Sequence, residues 1–127
     1  MRASPVVPRG IWMSRHSLPA SENIIPTPPV TEYRLSPAAL SDLDAIWDYT
    51  VRIWSVGQAE TYILAIASDM SLLVRHPEIA RERLEIRPPV RVYRSGSHLI
   101  IYRIEASWVS VLRIVHARQN WTAYLNE

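Results

Sequence analysis

Apolar residues recur every three or four positions from residue 36 to about residue 75, then every second position from residue 90 to 117, so the chain divides into a helical half and a sheet half. Ser36-Pro37 supplies an N-cap followed by proline in the first turn. From there Leu40, Leu43, Ile46, Trp47, Thr50, Ile53 and Trp54 form one stripe of an amphipathic helix of about five turns. Asp42, Asp44 and Asp48 are expected on its outer side, in the half where the helix dipole favours anions. Ser55-Val56-Gly57 interrupts, and Ala59, Tyr62, Ile63, Ile66, Met70, Leu73 and Val74 resume the period until His76-Pro77 stops it. The two helices form an antiparallel hairpin whose stripes need an apolar cover.

That cover is the second half. Val90 to Arg94, His98 to Glu105 and Trp108 to Ala117 read as three strands rich in Ile, Val and Tyr, with Ser95-Gly96-Ser97 and Ala106-Ser107 as turns. Short connections make the strands antiparallel neighbours. Tyr33-Arg34-Leu35 adds a short strand before the first helix, and Asn120 to Glu127 is read as a last helical turn or a frayed end. The expected fold is therefore α+β: an antiparallel sheet, made of a short N-terminal strand plus a three-stranded meander, packed by an α-helical hairpin.

A two-residue loop at Ala106-Ser107 would set Arg103 opposite Ser110, placing Leu99, Ile101, Arg103, Leu112, Ile114 and His116 on one face. His98, Ile100, Tyr102, Ile104, Val109, Val111, Arg113 and Val115 would take the other. Both faces are largely apolar. The helices cover one, so the other is expected to be an open apolar surface carrying arginine, as a partner-binding surface would be.

Residues 1–32 hold six of the ten prolines and neither period, and are read as a disordered tail ahead of a domain at 33–127. Met13 is an alternative start within it, and an extended partner-binding arm is the alternative function. No run nears the roughly 18 apolar residues of a membrane helix, and there is no cleavable apolar leader, which points to the cytoplasm. The chain has no cysteine, so disulfides, thiolate chemistry and cysteine-based zinc sites are excluded. A domain of about 95 residues hides only roughly 60 to 65% of its unfolded surface, so burial leaves it marginally stable and a partner would help.

All 14 basic residues are arginine, each a planar cation suited to bidentate contact with carboxylate or phosphate. They are unevenly placed: residues 33–80 hold three Arg against six acids, residues 81–118 eight Arg against three acids. The sheet half is the cationic half and should attract an anionic partner. His116 and Arg118, with Arg103 or Arg113 beside them, would supply a proton donor and phosphate clamps. They equally read as a strand end bonded to backbone, with arginines covering the sheet edge. His16, His76 and His98 show no metal-ligand spacing, and three glycines leave no phosphate-cradling loop. Trp47 and Trp54 read as core or hairpin packing, whereas Trp121 either docks back on the domain or belongs to an interface.

The run YRLSPAALSDLDAIWDYT, then GQAETYI, HPEIAR, RSGSHLIIYRI and VLRIVHARQNW, taken in order, resembles the ParE toxins of the RelE/ParE superfamily over residues 33 to about 121. The resemblance implies a RelE/ParE-like fold and the toxin of a type II toxin–antitoxin system. It further implies inhibition of DNA gyrase, and silencing by a cognate ParD-like antitoxin in a hetero-oligomer, with no cofactor and no direct DNA binding by the toxin alone. Target-binding residues by this reading are Arg91, Arg113, His116, Arg118 and Trp121; antitoxin-binding residues are Trp47, Trp54, Arg94 and Arg103. RelE-type relatives cut messenger RNA, for which Arg103, His116 and Arg118 would be catalytic with Arg91 and Arg113 near, and Glu82 or Glu85 as acids. Lysine is absent and neither a tyrosine nor a second histidine stands beside His116 in the sequence, so the ribonuclease set reads as incomplete. A non-toxic antitoxin-binding remnant is the third reading.

Overall fold

The structure, a computed structural model, describes residues 29–125. The proline-rich segment falls largely outside the described residues. Its last residues belong to the domain: Val30 packs against the core, and the Thr31 N–H and hydroxyl both donate to the Ser107 carbonyl.

Five strands, β1 (Glu32–Leu35), β2 (Glu82–Arg83), β3 (Val90–Ser95), β4 (His98–Ile104) and β5 (Trp108–His116), make one sheet in the order β1-β5-β4-β3-β2. The meander of β3, β4 and β5 is antiparallel. β1 joins β5 in parallel, so the sheet is mixed. Helices α1 (Pro37–Ile53) and α2 (Val56–Arg75) pack as a hairpin on one side. Each is started as its sequence dictates: Ser36 Oγ accepts from the Ala39 N–H and Ser55 Oγ from the Gln58 N–H, both at 3.0 Å. Between helices and sheet lie Ile46, Ile66, Met70, Leu73, Ile100, Tyr102, Val109, Val111 and Ile114, all buried. The Tyr102 hydroxyl donates to the Pro77 carbonyl at 2.7 Å and Arg91 to that of Ala80 at 2.6 Å, which pins the loop after α2.

Besides the first strand, parallel where an antiparallel sheet is expected, three expectations are corrected. Strand β5 carries one extra residue: Tyr102 pairs with Val111 but Ile101 with Arg113, so Leu112 is bulged. Past the bulge every side chain changes face. Ile114 now lies with Ile100 in the main core, Val115 with Ile101 on the far side, and His116 opposite His98. Helix α1 fixes this from both sides: Ser36 bonds the Val111 and Leu112 carbonyls through its N–H and hydroxyl, and Asp42 holds Arg113 and the Ile114 N–H. Asp42 is thus turned inward to β5, while Asp44 and Asp48 are exposed as expected.

Second, the sheet face away from the helices is not an open apolar surface. A 3-10 turn, Trp121–Tyr124, returns the chain over it, and Trp121 and Leu125 join Val92, Leu99 and Leu112 around a second core of Ile86, Val90, Ile101 and Val115. Third, Leu40, Ile53 and Trp54 leave the buried stripe of α1, with Trp54 72% exposed. Six of the eight exposed large apolar side chains among the described residues instead lie on the helical hairpin, and Tyr49, Ile53, Trp54 and Val56, each more than half exposed, fall close together in sequence at its bend. Among the described residues no helix is long and apolar enough to cross a membrane.

Candidate functional site

The end of α1, the start of α2 and the far ends of β4 and β5 enclose a groove of about 560 Å³. Tyr49, Trp54 and Tyr62 line it from the helical side; His98, His116 and Gln119 line it from the strand ends and the residues just after them. A cavity of this size with aromatic residues and several polar groups is what a docked side chain or small ligand needs.

The polar groups are tightly organised. His98 and His116 are direct cross-strand partners whose rings meet edge to face at 5.2 Å. The Tyr62 hydroxyl accepts the Ser97 N–H at 3.0 Å and lies 2.6 Å from His98 Nδ1, a hydrogen bond whose donor is set by the imidazole tautomer. His116 Nδ1 accepts the Arg118 N–H at 3.1 Å. Burial lowers the His98 pKa below the ordinary histidine value, the neighbouring His116 lowers it further, and Asp42 opposes both. His98 is therefore neutral at pH 7. Asp42 takes the Arg113 guanidinium on both oxygens, Nε at 2.8 Å and Nη2 at 2.9 Å, and its Oδ2 also accepts the Ile114 N–H at 2.9 Å. Gly96 makes the turn with φ +61°, and a Cβ there would stand 2.9 Å from the Tyr62 oxygen.

The expected site residues do not converge. Arg113 and His116 line the groove, and the exposed Arg118 follows directly. Arg91 lies two strands away, occupied by the Ala80 carbonyl. Trp121 packs on the second core with the Arg83 guanidinium 5.6 Å above its ring. Trp54 lines the groove, Trp47 is half-buried on α1, and Arg94 is exposed with Nε on the Gly96 carbonyl at 2.9 Å. Glu82 and Glu85 are exposed at the β2 edge, Glu85 within 3.8 Å of Arg83.

Two of these placements bear on chemistry. Arg103 alternates with Tyr102 on β4 and so faces away from the helices, whereas His116 shares the helix side with His98; the two cannot act on one bond. Conversely, a second histidine, His98, does stand at His116, with Tyr62 against that second histidine, contrary to the reading of the linear sequence. Sequence reasoning missed His98, Tyr62 and Asp42 together, because only the bulge brings the two histidines to one face.

The family model for the ParE toxin of the type II toxin–antitoxin system, parDE, matches residues 33–121. The chain is 37% identical over 91 residues to Toxin ParE1 of Mycobacterium tuberculosis, covering 71% of this chain and 93% of that one. Toxin ParE1 of Caulobacter vibrioides is 34% identical over 93 residues, 73% of this chain and 96% of that one. Among solved structures, a chain of the chromosomal ParDE TA system from P. aeruginosa superposes with a TM-score of 0.60 at 21% identity, over 69% of this chain and 96% of that chain.

Proposed function

The chain belongs to the ParE family, the toxins of type II toxin–antitoxin systems, and we propose that it acts in the cytoplasm by inhibiting DNA gyrase until a ParD-like antitoxin binds it. The observation that carries this reading is the groove and its rim. Tyr49 and Trp54, both more than half exposed, line the groove, Ile53 and Val56 flank Trp54 along the chain and are also more than half exposed, and two histidines and Arg118 adjoin the groove. Such a surface binds a macromolecule without needing covalent chemistry. The arginines a phosphate-cleaving site requires are committed elsewhere: Arg113 to Asp42, Arg91 to a carbonyl, and Arg103 to the opposite face.

Ribosome-dependent RNA cleavage is the second reading, favoured by one observation, the His98–His116 pair with Tyr62 beside it. One experiment separates the two. Purified protein is incubated with gyrase and relaxed plasmid, and separately with ribosomes and message. Lost supercoiling with intact RNA supports gyrase inhibition; site-specific cuts with normal supercoiling overturn it. Arg118→Glu should weaken toxicity while changing stability by less than about 0.5 kcal/mol, since the residue is exposed beyond the strand end.

A further inference from the structure

The face away from the helices carries a line of guanidinium groups that the groove does not use. Arg34 on β1 pairs with Ser110 on β5, which pairs with Arg103 on β4; Val90, one residue beyond the Arg91–Tyr102 pair, lies next on β3 and pairs with Arg83 on β2. Residues directly across a sheet share a face, so Arg34, Arg103 and Arg83 stand in one row, each about 10 Å from the next at two strand spacings.

The three differ in what satisfies them. Arg34 holds Glu32 through Nε and Nη2, at 3.0 and 2.7 Å, and lies 4.0 Å above the Trp108 ring. Arg83 has Glu85 at 3.8 Å and lies over Trp121. Arg103, between them, is half-buried, and its Nε is sealed from solvent with no hydrogen-bond partner. A buried donor left unmatched on a cation is costly and uncommon. Its water is already partly stripped, so an anion reaching the exposed part of the group meets less competing solvent than at a surface arginine.

We propose that Arg103 is the anchor for one carboxylate of an antitoxin segment that runs along the helix-free face, where eight arginines against three acids in residues 81–118 favour an acidic partner. This rests on the antitoxin reading above. A polypeptide carboxylate fits better than a nucleic-acid backbone. The ring faces on which bases would stack are covered by Arg34 and Arg83, and closely spaced phosphates would meet Glu32, Glu85 and Glu105, the last on this face by strand alternation. An isolated carboxylate meets only the guanidinium; Val90 and Ile101 beside it are already buried in the second core, so the contact rests on charge rather than on apolar burial.

The test uses full-length protein and a purified ParD-like antitoxin, with affinity measured by calorimetry at low and high salt and a short single-stranded RNA as second probe. Arg103→Gln and Arg103→Met should keep the wild-type unfolding midpoint yet lose at least tenfold in antitoxin affinity, the scale seen when one partner of a desolvated charge pair is removed. Arg34→Gln, a rim position already paired, should lose less than threefold. Unchanged antitoxin affinity in both Arg103 variants overturns this inference and leaves the toxin reading intact. Antitoxin that fails to bind the wild type overturns both. RNA binding that depends on Arg103, with antitoxin binding unaffected by it, overturns the inference in favour of a nucleic-acid surface.

Discussion

Replacing Asp42 with alanine should do more damage than its place on a helix surface suggests, because its carboxylate holds the bulge that sets the register of β5. Two contributions add. The Ile114 N–H loses its acceptor inside the structure, worth about 1 to 3 kcal/mol. Arg113 loses a bidentate carboxylate, a break that costs about 3 to 5 kcal/mol in a fully buried pair. Here the side chains are 15% and 22% exposed, so the second figure is discounted for solvent screening. The sum expected is about 2 to 4 kcal/mol, or on the order of 10 to 25 °C in unfolding midpoint for a domain this small. Urea unfolding followed by tryptophan fluorescence and circular dichroism measures it. A cycle with Arg113→Met should return a coupling of about 1 to 3 kcal/mol. Asp42→Asn, which keeps one acceptor oxygen, should fall between alanine and wild type. The register is read independently: proton contacts between the His98 and His116 rings by NMR should weaken in Asp42→Ala. A cost under about 0.5 kcal/mol with those contacts intact would mean that the bulge is held by Ser36 and strand pairing alone, and the reasoning would be wrong.

Gly96→Ala should cost about 2 kcal/mol, because the residue sits at φ +61° and its new methyl group meets the Tyr62 oxygen at 2.9 Å. In a Tyr62→Phe background the part due to the oxygen should vanish while the backbone part remains; equal costs in both backgrounds would refute the contact. His98 should titrate below 6.5 in an NMR pH series. In the unfolded chain the ring takes up its proton near 6.5 and in the folded chain only at lower pH, so its contribution is complete above 6.5 and falls away as pH drops from there to the folded midpoint. His98→Gln should flatten that slope of stability against pH, and a folded midpoint at or above 6.5 would contradict the burial argument.

The helices, the three long strands and their turns could be read from the sequence because each rests on local signals: Ser36-Pro37, the interruption at Ser55, the stop at His76-Pro77 and the glycine at position 96. What could not be read is whatever depends on a single inserted residue. Leu112 carries no turn chemistry, and an apolar residue in an apolar strand gives no sign that two positions there oppose one. Strict alternation therefore put His116 with Arg103 and away from His98, the reverse of the structure. The covering of the helix-free face was hidden for another reason: residues 121–125 are too few to show a period, so only the docked Trp121 and Leu125 reveal where they go. Asp42 looked like one of three equivalent solvated acids because nothing in the sequence marks which of them meets β5.

The first strand of this domain is completed by the last. Ser36 reaches Leu112 across 76 positions of chain, and β1 touches no other strand of the sheet. During synthesis the helical hairpin is made before Val109, Val111 and Ile114, against which it packs. Pairing this distant is slow to form by comparison with local contacts. The hairpin therefore waits for β5 before its core can close, and the histidine pair forms only once that strand is in place.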